Sequence, residues 1–175
     1  MNIAFLDVAY TGAKARASCV LAQGWDARAP AATYVQEIED VQPYEPGRFY
    51  RRELPCLLAV LRSVPSLPET LVVDGYVWLP PDRRPGLGAH LHEAVGSRAA
   101  VVGIAKTAFA GSPACPFVAP VLRGTSLRPL FVTAAGIDLA LAAQGVRHMA
   151  GPHRIPDLPR LADRLARHGL AVASG

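Results

Sequence analysis

Three acids sit where solvation alone does not account for a carboxylate. Asp7 lies inside the apolar run Ile3-Ala4-Phe5-Leu6-Asp7-Val8-Ala9, and Asp74 ends the most hydrophobic stretch of the chain, Leu71-Val72-Val73. Glu53 opens a helical segment directly after Arg51 and Arg52. Taking an unpaired carboxylate out of water is costly. Carboxylates converging from separate strands are how a Mg²⁺ site is built, because that ion takes hard oxygen ligands and keeps several waters. Such an ion stabilises charge on a phosphate and activates water. Any one of these acids reads equally well as a salt-bridged or capping residue. Asp7 and Asp74 together, both at the edge of apolar strands, favour the metal.

The elements that would position these acids follow from the hydrophobic pattern. Residues 2–9 and 15–23 are short apolar runs around a turn at Thr11-Gly12 and read as a β-hairpin. Thr33 to Ile38 roughly alternates and suits a third strand. A Pro/Gly loop spans Pro43 to Gly47, and the leucines of residues 50–63 recur at helical spacing ahead of Pro65. Thr70 to Gly75 is a buried strand, 77–86 a proline-rich loop, 87–96 a helix and 99–105 another apolar strand. Residues 117–122 and 129–134 form a further strand pair. Helices follow at 136–149 and 157–168, the second opened by Asp157 with Pro159 in its first turn. A meander leading into alternating strands and helices implies a mixed sheet with helices on its faces.

Composition sets the class. The 175 residues, 51% of them hydrophobic, suit a single globular domain spanning 1–175. No apolar run reaches the roughly 18 residues of a membrane span. The start lacks the basic n-region of a signal peptide, which makes the cytoplasm the expected location. Cys19, Cys56 and Cys115 are odd in number and widely spaced, so reduced thiols are expected. The net charge of +4 permits a polyanionic partner, and positive residues cluster at Arg48-Arg51-Arg52 and Arg83-Arg84. Neither GxGxxG nor GxxxxGK[ST] is present, which argues against an unrelated phosphate-loop enzyme.

The ordered set of segments resembles the endonuclease V family, whose fold is ribonuclease H-like. Phe5 to Tyr10 resembles the family's first strand with its metal-binding Asp. Pro43-Tyr44-Glu45-Pro46-Gly47, followed by Arg51-Arg52-Glu53-Leu54-Pro55, resembles its tyrosine wedge and Arg-Glu-x-Pro metal segment. Val72 to Gly75 resembles the strand of the second metal Asp, Gly86 to Leu91 the helix start after it, and Val102 to Lys106 the strand of the active-site Lys. Arg128 to Thr133 and Arg154 to Asp163 are similar to the final strand and helix. The resemblance covers nearly the whole chain. It implies an α/β, ribonuclease H-like mixed β-sheet with helices on both faces. It also implies Mg²⁺ (or Mn²⁺) on Asp7, Glu53 and Asp74, with Lys106 contacting phosphate or positioning water. Pro43, Tyr44, Pro46, Gly47, Arg52, Gly75 and His90 would meet the nucleic acid, Tyr44 acting as a wedge that replaces lost base stacking.

Two positions depart from the family pattern. The family's Gly-His pair after the last strand is Gly136-Ile137 here, with Asp138 next. Asp138 is expected either to supply a fourth carboxylate to the catalytic site or to cap the following helix. Tyr76 stands where a histidine is usual, in a loop with an apparent one-residue insertion. Two function classes stay open. One is a Mg²⁺-dependent endonuclease cleaving a phosphodiester 3′ to deaminated bases (deoxyinosine or inosine) in DNA or RNA. The alternative is a catalytically weakened homologue that binds nucleic acid or a modified nucleotide without cutting. The retained acids and Lys106 favour the first, and Ile137 favours the second.

Overall fold

The structure is a computed structural model that describes residues 1–110 and 115–170. Strands β1 (Asn2–Thr11) and β2 (Lys14–Gln23) form the expected hairpin, running from Asn2 opposite Gln23 to Thr11 opposite Lys14. Gly12 takes a φ of 62° in the turn, a left-handed conformation open to glycine at no steric cost. β3 (Ala32–Ile38) adds antiparallel to β2. Helix α1 (Tyr50–Leu61) then carries the chain across, so that β4 (Thr70–Asp74) lies parallel to β1. After α2 (Leu87–Ala94), β7 (Ala100–Ala105) pairs parallel to β4. β8 (Ala119–Val121) and β9 (Leu130–Ala135) close the sheet antiparallel, and α3 (Leu139–His148) and α4 (Asp157–His168) follow. The seven-stranded order is β3-β2-β1-β4-β7-β9-β8.

Period-two alternation divides the core between the two faces of this mixed sheet. Leu6, Leu71, Val73 and Val101 pack with α1 and α2, burying Cys56, Leu57, Val60 and Leu91. Phe5, Val72, Val102, Ile104 and Val132 pack on the other face with α3 and α4, against Val146, Leu158, Ala162 and Leu165. The central strands are covered on both sides, which is why they read as continuous apolar runs.

Two details differ from the sequence expectation. The proline-rich segment holds a short ladder, β5 (Trp78–Leu79) with β6 (Arg84–Pro85). It is pinned over the sheet by Val77 N–H on Thr133 Oγ1 (2.8 Å) and Trp78 Nε1 on the Ala134 carbonyl (2.9 Å). The helix expected from residue 136 starts at Leu139, because Gly136 adopts a φ of 73° and turns the chain first. Cys19 and Cys56 are buried free thiols. Among the described residues no helix is long and apolar enough to cross a membrane.

Candidate functional site

The parallel register of β1 and β4 sets Leu6 opposite Val73, so Asp7 and Asp74 come next, side by side where the two strands end their pairing. Phe5 and Val72, two residues earlier, point into the core beneath α4, and alternation sends Asp7 and Asp74 to that same side. Lys106 follows Ile104 by two residues on the adjacent strand and obeys the same rule. Its ammonium sits 2.5 Å from Asp74 Oδ2. Asp7 Oδ1 accepts the N–H of Val8 at 2.8 Å. These three residues line a cavity of about 170 Å³ whose far wall is α4, with Pro156, Arg160, Asp163 and Arg167.

Electrostatics marks this cluster as strained. Burial, with smaller contributions from the neighbouring Asp74 and Asp163, pushes the Asp7 carboxyl up to about 7 against the lowering effects of the Val8 amide and Lys106. Glu53, 6% exposed, is pushed up to about 8 by burial and then by Asp7 and Asp74. Such shifts on clustered groups are typical of sites built for chemistry, since burial and like charges together disfavour the ionised form. Among the described residues, no ion pair or hydrogen bond engages the Glu53 carboxylate.

The donor set suits a hard divalent cation: carboxylate oxygens only, two of them disfavoured as bare anions by burial and by one another, a penalty that a bound cation offsets. Yet among the described residues no three His, Cys, Asp or Glu side chains stand in ligating arrangement. Lys106 pairs with Asp74. Glu53 comes from α1, whose buried residues pack on the other face of the sheet, and the charges of Asp7 and Asp74 act on its carboxyl.

The other expected residues fall into four groups. Tyr44 is exposed in the Pro43–Gly47 loop, its ring 6.3 Å from Phe49, and Gly47 holds a φ of 75°. Pro43 and Pro46 flank it in the same exposed loop. His90 stacks on Tyr50, rings 3.7 Å apart and 16° from parallel, on the neighbouring pair α1 and α2. Gly75 follows Asp74 directly, with its N–H on the Ile104 carbonyl. Arg52 has its guanidinium 4.0 Å over the Tyr10 ring and reaches the Gly12 carbonyl.

Asp138 corrects the expectation of a fourth catalytic carboxylate. Its Oδ1 accepts the backbone amides of Ala140 (2.9 Å) and Leu141 (3.1 Å), so it caps α3, and it does not line the cavity. A carboxylate already bonded to free amides at a helix start is held by those bonds and the helix dipole. Ile137 beside it packs against the core. The acid that does stand near Asp7 is Asp163, one residue after the core-facing Ala162 of α4, and bonded to Arg167 Nε at 2.9 Å. The sequence reading gave Asp163 no role. The available signal was its place on the helix: an acid beside the apolar stripe of a strongly amphipathic segment.

Comparison with known proteins decides the family. The family model for endonuclease V matches residues 1–164. The chain belongs to the endonuclease V family. Endonuclease V of Streptomyces avermitilis is 34% identical over 160 residues, covering 82% of this chain and 68% of that protein. Endonuclease V of Streptomyces coelicolor is 32% identical over 189 residues, covering 97% and 79%. The crystal structure of the Streptomyces avermitilis endonuclease V superposes with a TM-score of 0.76 at 29% identity, over 100% of this chain and 83% of that one. Ciona intestinalis endonuclease V, solved with a 24mer DNA containing an inosine followed by a ribo-adenosine, shares the fold at a TM-score of 0.72 and 18% identity, over 95% and 84%. The chain is thus an α/β protein of a nuclease family whose members hydrolyse phosphodiester bonds.

Proposed function

We propose that this protein is a Mg²⁺-dependent (or Mn²⁺-dependent) endonuclease that cleaves a phosphodiester 3′ to a deaminated base, deoxyinosine or inosine, in DNA or RNA. The observation that carries the reading is the juxtaposition of Asp7, Asp74 and Lys106 in one cavity at the strand ends, in a chain of the endonuclease V family. Asp7, Asp74 and Glu53 would hold the ion, which when bound supplies a Lewis acid toward the phosphate and an acidified water. The chain's own residues do the rest. Lys106 offers a positive charge to a phosphate oxygen once it leaves Asp74. Asp7 and Glu53, whose carboxyls burial pushes up to about 7 and 8 in the metal-free protein, would give up their protons as the ion binds. Tyr44, exposed in its loop between two prolines, would stack where a base has been displaced. Pro43, Pro46, Gly47, Gly75 and His90 would meet the nucleic acid with it.

A weakened, binding-only homologue is the second reading, favoured by Ile137 packing into the core where the family has a histidine. Purified protein incubated with Mg²⁺ and end-labelled inosine-containing DNA and RNA separates the two. Cleavage of modified strands, absent from unmodified ones and abolished by EDTA, is the expected result. Retention of modified strands without any cutting supports the binder.

A further inference from the structure

We propose that Tyr76 is a positioning residue for Lys106, fastening the strand end that carries Asp74 to the segment that carries Lys106. The inference rests on Lys106 belonging to the cleavage site. Lys106 is the first residue past β7, and a lysine there has a long flexible stem and a backbone free to fray. Three contacts hold the chain just beyond it. Arg154 Nη2 donates to the Lys106 carbonyl and, at 2.8 Å, to that of Pro129. The Tyr76 hydroxyl donates to the Thr107 carbonyl at 3.0 Å and accepts the Phe109 N–H at 3.0 Å. One phenol thus satisfies both a carbonyl and an amide of the same loop, while its ring meets Phe109 edge-on at 6.1 Å.

Tyr76 is itself rigidly held. It is 8% exposed and lies two residues from Asp74. Its carbonyl accepts the Gly88 N–H, and its neighbour Val77 is bonded to Thr133. The segment lies so close over β7 that a Cβ on Gly103 would stand 2.5 Å from the Gly75 carbonyl oxygen. Residues 74–77 and 103–109 therefore form one unit, with the Asp74–Lys106 pair at its open edge. A histidine at this position, shorter from Cα than a phenol, would not carry a polar atom as far across the gap.

The test uses near-isosteric removal of one hydroxyl, Tyr76→Phe. The chain has two lysines, Lys14 and Lys106, so acetylation by a water-soluble succinimidyl ester, read by peptide mass spectrometry, reports Lys106 with Lys14 as internal reference. Lys14 sits on the surface with Glu39, outside the cavity. The expected result is Lys106 labelling at least threefold faster relative to Lys14, together with faster hydrogen exchange at the Phe109 amide. On inosine-containing DNA the single-turnover rate falls about tenfold with unchanged Kd, and Tyr76→Phe adds little in a Lys106→Met background. Unchanged or slower Lys106 labelling in a variant of wild-type melting temperature overturns the proposal, and so does a loss of cleavage additive with Lys106→Met. Labelling and exchange need no cleavage, so failure of the nuclease reading shows separately, as an inactive wild type.

Discussion

The ammonium of Lys106, one residue past β7, and the carboxylate of Asp74, at the end of the parallel strand β4, meet at 2.5 Å in the cavity that Asp7 and Asp163 also line. A divalent cation entering among Asp7, Asp74 and Glu53 must compete with this ion pair. Lys106→Met is therefore expected to bind Mn²⁺ several-fold more tightly than the parent, by calorimetry, because Asp74 is released. Its cleavage rate should nevertheless fall at least tenfold, since the phosphate loses a charged partner. Weaker metal binding in this variant would show that Lys106 organises the acids instead of competing for them.

Asp138 should prove structural. Losing a helix-capping side chain to alanine costs about 1 kcal/mol, which for a chain of this size is about 2–4 °C in melting temperature. Asp138→Ala is expected to show that shift with the cleavage rate unchanged within about twofold. A hundredfold loss of cleavage at unchanged melting temperature would return Asp138 to the chemistry, against its bonds to the Ala140 and Leu141 amides.

What the sequence made legible was local. The β1–β2 hairpin, the β4 strand ending in Asp74, and the helices at Tyr50 and Asp157 all stand where apolar periodicity and turn residues put them. Lys106 came with its strand and the resemblance. Asp163 came with the resemblance only as the end of a matching segment and with no role, because its nearness to Asp7 exists only after α4 folds back over β1, a contact across most of the chain. The contact of Arg52 was hidden for a like reason: the Tyr10 ring under its guanidinium belongs to the hairpin. Asp138 sits one residue after the position of the family histidine, which suggested a substitute, but Gly136 turns the backbone so that its carboxylate faces the amides of α3.

The wedge reading of Tyr44 predicts a split between selectivity and affinity. Tyr44 is exposed, beside Phe49 and away from the acids' cavity. Base–aromatic stacking contributes about 1–3 kcal/mol, so Tyr44→Ala should reduce the preference for inosine-containing over plain strands by about tenfold. Affinity for plain strands, measured by fluorescence anisotropy, should change little. Equal losses on both strands would reduce Tyr44 to a general contact.

The buried acids predict an inverted pH response in the metal-free protein. Asp7 and Glu53 have folded-state pKa values of about 7 and 8 against ordinary values of 3.8 and 4.5. Between those limits the folded state binds more protons than the unfolded state, so this pair's contribution to stability falls as pH rises. It is fully present below about pH 4 and is lost as pH rises through about 7 and 8, the reverse of an acid held by a salt bridge. In EDTA, Glu53→Gln should therefore raise the melting temperature at pH 8.5 by several degrees and leave it nearly unchanged at pH 4, where the parent glutamate is protonated in the fold. Mg²⁺ added to the parent at pH 8.5 should recover a similar increment, because an ion bound to the folded state alone stabilises it by mass action. The same ion should give Glu53→Gln a smaller increment, since one ligand has lost its charge. An equal Mg²⁺ increment in parent and variant would place the ion elsewhere. A Glu53→Gln variant less stable than the parent at pH 8.5 would mean that the ionised carboxylate has a partner in solution that offsets its burial.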